Sequence, residues 1–254
     1  MESTPIVGLA AVIASFLSGL LGIGGGMILT PLLLDLPPVV AAPPLSIKVI
    51  TGLTMVQAIA GSLLGVVRHR RHGNVSMGTL RLLGPTIALT SLGGALLSSR
   101  APDRTLLLVF AGIATLGAIA LVVPARGGQA TRRRSLPLAV GAAALLGLFG
   151  GMVGIAGVAF IIPALIHLVG LPPRTAIGTS LGLGLLSATA GLLGKAMTAQ
   201  VDLLLAVVVA VSAMVVAPIG VAASVRTPVH ALTSVLAGLV LFTAIRIAIV
   251  ALAI

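Results

Sequence analysis

Apolar residues run in blocks along this chain instead of alternating. Predominantly apolar segments lie at about 5–21, 27–36, 45–67, 78–99, 104–123, 137–153, 158–169, 174–195, 202–223 and 229–253. A run such as LLLAVVVAVSAMVV, Leu203 to Val216, lacks the period of two that a transmembrane barrel strand needs. It reads as helix. A helix crosses a hydrocarbon core of about 30 Å with roughly 20 residues. Two of the segments, 27–36 and 158–169, are too short for that, and each follows a glycine cluster: GIGGG at Gly22 to Gly26, and GIAG at Gly154 to Gly157. The pattern predicts an all-α polytopic membrane helix bundle in which two half-length helices start from glycine breaks.

The two breaks belong to a longer correspondence. GIGGGMILTP at Gly22 to Pro31 aligns with GIAGVAFIIP at Gly154 to Pro163 at an offset of 132 positions. AIAG at Ala58 to Gly61 aligns with ATAG at Ala188 to Gly191 at an offset of 130, and GALLSSRAP at Gly94 to Pro102 with GVAASVRTP at Gly220 to Pro228 at 126. Anchors in the same order, drifting by small deletions, predict two copies of one unit: a segment, a glycine break, a half-length helix and three full spans. The division is a first membrane repeat over 1–123, a basic cytoplasmic linker over 124–136 and a second repeat over 137–254. Secondary transporters are commonly built from such repeats, with discontinuous helices meeting near the midplane. If each break turns back as a re-entrant hairpin, the repeats are inverted and both termini lie outside. If each break only kinks a long span, the repeats are parallel and both termini lie inside. Counting Lys and Arg on each side does not separate these topologies. The inverted arrangement is preferred because it brings two half-helix ends to one central point from opposite sides.

Composition agrees with a bilayer as the surrounding medium. Of the 254 residues 58% are hydrophobic and 7% charged, and the mean hydropathy is +1.27. The net charge of +11 sits largely in RHRRHG at Arg68 to Gly73 and in the linker, in short inter-span stretches without stacking aromatics. That is the pattern of cytoplasmic loops, not of a nucleic-acid surface. The start, MESTP, has no basic region ahead of the apolar run, so the first helix is expected to stay in place and not to be cleaved as a signal. With no cysteine, a disulfide, an iron–sulfur cluster and a thiolate metal site are all excluded. No HExxH, paired carboxylates or Walker motif is present, which argues against an enzyme, a metal or other cofactor, and direct ATP drive.

The polar residues within the spans are few. Gly24, Gly25 and Gly26 in the first break and Gly157 in the second would open helix N-termini whose unpaired N–H groups suit an anion; the alternative is that they only allow close helix packing. Thr51, Thr54, Thr179 and Ser180 either donate to a bound anion or bond back to their own helix. Gln57, an amide inside a span, bonds either a neighbouring helix or the substrate. Asp35 and His167 occupy equivalent positions at the far ends of the half-helices and are candidates for coupling; the competing reading is a place at the interface. Lys48 and Lys195 read as anchors that snorkel to the headgroups, or as cations that draw an anion inward. His69, His72 and His230 read as solvated.

The glycine break with its proline-containing short helix, its repetition, GNV at Gly73 to Val75 after a basic stretch, and AIGTSLGLGLLSATAG at Ala176 to Gly191 together resemble the sulfite exporter TauE/SafE family. The resemblance covers nearly the whole chain. It implies a secondary carrier or facilitator in a bacterial inner membrane that moves small sulfur-containing anions such as sulfite, thiosulfate or organosulfonates, with a homodimer as one expected assembly. Alternatives are a carrier of another anion, such as a carboxylate, or a membrane subunit without transport. The Thr-Ser pair typical of the family carries over to Thr179 and Ser180. In the first half the corresponding stretch reads SIKVITGLTMVQAIAG, where Thr51 is the nearest hydroxyl in a shifted register and Lys48 interrupts the pattern.

Overall fold

The apolar segments from 5–21 to 202–223 each form a helix in the computed structural model, as does the described part of 229–253; the structure describes residues 3–21, 26–39, 43–122, 135–155, 158–224, 238 and 241–251. In chain order these are α1 (Ser3–Leu21), α2 (Gly26–Val39), α3 (Ile47–Arg71), α4 (Met77–Arg100), α5 (Asp103–Val122), α6 (Leu136–Val153), α7 (Val158–Ala164), which runs into a π-helical turn at Leu165–Val169, α8 (Pro173–Met197), α9 (Leu203–Ser224) and α10 (Leu241–Ala251). Among the described residues, α3, α4, α6, α8 and residues 203–223 of α9 are long and apolar enough to cross a membrane.

The helix ends follow local chemistry. Ser46 Oγ accepts from Val49 N at the start of α3, and Ser76 Oγ from Thr79 N at the start of α4. Asp202 Oδ1 accepts from Leu205 N at the start of α9. These are N-cap bonds to otherwise orphaned amides. Gly154, at φ 78°, ends α6, and Gly170, at φ 82°, ends the π-turn, both in the left-handed region where glycine carries no Cβ penalty. One boundary differs from the sequence expectation. Arg68 to Arg71 form the last turn of α3 and not a loop, with His72 as the C-cap. Basic side chains favour that carbonyl end of a helix, so the stretch extends α3 instead of terminating it.

Glycines fix how the helices run past one another. Gly8 of α1 lies against Val208, and Gly19 against Ala217, so α1 and α9 are parallel. Gly147 of α6 lies against Ile87 and Thr90, and Gly151 against Ser91, so α6 and α4 are parallel too. Helices α3 and α8 cross antiparallel at the centre: Gly191 faces Met55, Gly65 faces Leu181, and Gly178 faces His69. A Cβ at Gly19 would overlap Ala217 O, and one at Gly151 would overlap Ser91 O. A Cβ at Gly220 would overlap Phe16 O, and one at Gly94 would overlap Leu148 O. Two α1–α9 contacts, Gly19–Ala217 and Gly220–Phe16, map onto the α6–α4 contacts Gly151–Ser91 and Gly94–Leu148 by the same offsets, 132 and 126, that align the sequence.

The second break turns the chain back. Ser135, just before α6, donates its N–H to Leu168 O in the π-turn at 3.2 Å, so α6 and the following short helix begin and end at the same end of the bundle. That end also carries Arg68 to Arg71 and is called the basic end below. At the opposite end Lys48 Nζ donates to Ser99 O at 2.8 Å, which places the start of α3 beside the end of α4. Helix α2 therefore runs from its inner start at Gly26 toward that opposite end. The first apolar cluster packs α1 and α2 around Ile50, Leu53 and Phe110; the second packs Leu83 and Ile87 against Ala139, Ala143 and Leu183.

Candidate functional site

The two breaks meet beside α3. A Cβ at Gly26, the first residue of α2, would stand 2.7 Å from Gly154 O, 3.4 Å from Thr54 Cβ and 3.5 Å from Ile155 Cα. A Cβ at Gly154 would overlap Thr54 Oγ1 and Thr51 O. Only glycine fits either position. The start of one half-helix, the end of the span before the other, and a threonine-bearing turn of α3 thus converge inside the bundle. Thr30, Thr51 and Thr54 are all fully buried there. Each donates to its own helix: Thr30 Oγ1 to Gly26 O at 2.8 Å, Thr51 Oγ1 to Lys48 O at 2.9 Å and Thr54 Oγ1 to Thr51 O at 2.8 Å. The back-bonded alternative describes this state of the hydroxyls. Thr30 stands out only in three dimensions.

The other candidates lie elsewhere. Gly24, Gly25, Gly157 and His230 fall outside the described residues. Gln57 is buried, and its Nε2 donates to Ser15 Oγ of α1 at 3.2 Å, the neighbouring-helix option. Thr179 and Ser180 are fully buried but near the basic end: Thr179 Oγ1 accepts from Ser76 N at 2.9 Å, and Ser180 Oγ donates to Ile177 O at 2.7 Å. Gly178 faces His69, so Thr179 and Thr51 are separated by most of the length of α3, about 27 Å at the helical rise. They do not form one cradle. Asp35 is half-buried and pairs with Arg246 of α10, Nε to Oδ2 being 3.4 Å, while His167 is exposed in the π-turn. His69 is not simply solvated: its Nδ1 is buried without a partner among the described residues. His72 is exposed, with Nδ1 2.8 Å from Arg68 O.

Lys195 departs furthest from expectation. It does not snorkel but is 0% exposed. Its Nζ donates to Ser98 Oγ at 2.9 Å, Met152 O at 3.1 Å and Gln200 Oε1 at 3.2 Å. Gln200 is held in turn by Nε2 donating to Thr198 Oγ1 at 2.6 Å and to Ala95 O at 3.3 Å. Proximity to the end of a span predicted an anchor. The tight turn after Met197 instead folds beneath the ends of α4 and α6 and carries Lys195 inward.

A polytopic helix bundle with half-length helices that start from breaks meeting inside it is the architecture of a membrane transporter. Residues 7–247 match the family described as Sulfite exporter TauE/SafE, and the chain belongs to that family. It is also similar to a "Probable membrane transporter protein" of Haemophilus influenzae, 30% identical over 186 residues that make up 72% of this chain and 70% of that protein. No solved structure matches. The chain is accordingly a multi-pass membrane transporter, not an enzyme.

Proposed function

We propose that this transporter moves small sulfur-containing anions, such as sulfite, thiosulfate or organosulfonates, across a bacterial inner membrane, and that the anion passes the point where Gly26 and Gly154 meet Thr51 and Thr54. The observation that carries this reading is the convergence of the breaks on a buried, hydroxyl-bearing turn. The inner start of α2 offers amides without intrahelical partners and a partial positive charge. Thr51 and Thr54 add donors that give up a neutral bond to their own helix for a charge-assisted bond to an oxyanion. One helix end contributes about 0.3–2 kcal/mol toward a negative charge, too little to dehydrate a dianion unaided, so hydroxyl donors and fixed cations must contribute.

The same reading divides the chain into inverted repeats, 1–123 and 137–254, joined by a cytoplasmic linker over 124–136. Its support is the exchange of glycine contacts under the sequence offsets, together with the turn-back of α6 and α7 at the basic end. Gln129→Cys in this cysteine-free chain is expected to be labelled from the cytoplasmic side, and a cysteine added after Ile254 from outside. Labelling of the second from inside removes the inverted arrangement.

Function is tested by flux into proteoliposomes with sulfite, thiosulfate, sulfoacetate and a carboxylate in parallel. Saturable uptake of the sulfur anions, reduced at least tenfold by Gly154→Ala, supports the assignment. Uptake of the carboxylate alone replaces the substrate class.

A further inference from the structure

Two lysines converge on one end of α4. Lys195 comes from the end of α8 and reaches Ser98; Lys48 comes from the start of α3 and reaches Ser99 O. Lys195 is wholly buried and Lys48 half-buried. Among the described residues no carboxylate pairs with either: the ion pair found there joins Asp35 to Arg246. Buried charges are ordinarily paired, and like charges brought together in a poorly solvated place oppose each other. Partial compensation comes from carbonyl groups at the ends of α4 and α6, which Lys48 and Lys195 bond through Ser99 O and Met152 O. Partial charges of about half a unit per helix end do not supply a full counter-ion. The same lysines border the meeting point of the breaks, because Met152 precedes Gly154 by two residues and Lys48 O holds Thr51 Oγ1.

We propose that Lys48 and Lys195 form a pair of cationic sites whose missing counter-charge is the passing anion, so that they set the charge preference of the pathway. Lys195 acts at a distance, its three bonds being made within the protein. Lys48, half-buried and with one bond to Ser99 O, is placed to touch the anion as it enters or leaves at the end of the bundle opposite Arg68 to Arg71. This rests on the anion-carrier reading above.

The electrostatic role predicts a dependence on ligand charge that a packing role does not. Removing one positive charge about 10 Å from the anion, at an effective dielectric near 20, weakens a monoanion roughly tenfold and a dianion by roughly the square of that factor. The full chain in proteoliposomes is assayed with ethanesulfonate as monoanion and thiosulfate as dianion. Lys195→Gln keeps a donor without the charge, Lys195→Arg keeps the charge, and Lys48→Gln removes the more exposed cation. The expected result is that both glutamine variants raise the KM for thiosulfate far more than for ethanesulfonate, while Lys195→Arg preserves their ratio. Folded glutamine variants whose KM values are unchanged, or raised by the same factor for both anions, overturn the proposal. If Lys195→Gln does not fold, Lys48→Gln decides alone. Absence of saturable flux for any anion in the unaltered protein refutes the carrier reading instead.

Discussion

The antiparallel crossing of α3 and α8 has two corners that the proposed internal repeat would make equivalent, and they are chemically opposite. At the basic end Gly65 packs on Leu181, and Gly178 fits beneath Asn74 O and His69. Under the offset of 130 the counterparts of Gly65, Leu181 and Gly178 are Lys195, Thr51 and Lys48. One corner is closed by glycine against leucine; the other holds two ammonium groups and a hydroxyl. Even the caps correspond, since Ser76 and Asp202 each bond the third residue of their helix. These contacts and caps correspond under the offsets while the polar content of the two corners does not. On the proposed repeat, a doubled unit would supply a path from two sides, and the lysines at one corner would give that path its charge.

The largest effects should come from the contacts shared by both halves. Gly19→Leu and Gly151→Leu each drive a side chain into a backbone carbonyl that cannot move aside, at a cost of about 3 kcal/mol or more. Both are expected to lose folded protein on size-exclusion chromatography. Tolerance of only one would break the equivalence of the α1–α9 and α6–α4 packing. Gly154→Ala follows. Its positive φ alone costs about 1–2 kcal/mol, and the overlap with Thr54 adds to that, so a lowered Tm should accompany lost transport.

The threonines sharpen the comparison between corners. Thr179→Ala orphans the amide of Ser76, with an expected loss of about 1–2 kcal/mol and an unchanged KM. Thr51→Ala removes only a bond within its own helix, so it should barely alter Tm yet raise the KM severalfold. Equal KM values in the two variants would contradict the placement of the site at the lysine corner. Next come Asp35→Asn and His167→Gln together. In the Asp35–Arg246 pair the Arg246 side chain is about two-fifths exposed and that of Asp35 about one-third, and the pair contributes under about 1 kcal/mol. If these residues couple transport to protons, the double variant flattens the pH profile of flux; an unaltered profile excludes them. The smallest effect is Gly61→Ala, where nothing lies within 4 Å and helix propensity favours alanine by up to about 1 kcal/mol. Its counterpart Gly191 faces Met55 Cε at 2.7 Å and Ser91 Oγ at 2.9 Å, so Gly191→Ala should lower Tm where Gly61→Ala raises it.

Blocks of apolar residues and two glycine clusters were enough to place α1 to α9 within a few residues, because span length and backbone breaks are local properties. The site was less legible. Thr51 and Thr179 look like partners in a one-dimensional alignment of motifs, but the repeat register pairs Thr51 with Leu181, and the antiparallel crossing sends the two threonines to opposite ends. Lys195 resembled an interfacial anchor because hydropathy reports distance along a helix and not the fold of the following turn. Gln200, a polar residue buried just after that turn, was the available hint. That Thr54 meets Gly26 and Gly154 became visible only from contact between separate segments.

The swapped glycine contacts also impose an order on assembly. When α6 emerges during synthesis, Ser91 and Gly94 of α4 have already been made and lie about 60 residues behind. Gly19, by contrast, waits about 200 residues for Ala217. Closing a contact of such sequence separation is slow, and domains form from the N-terminal side as the chain grows. Helix α1 must therefore persist in the bilayer with its glycine face bare until α9 is inserted. A nascent chain arrested before α9 should expose α1 to crosslinking by insertion chaperones, and release of the arrest through Ser224 should bury it.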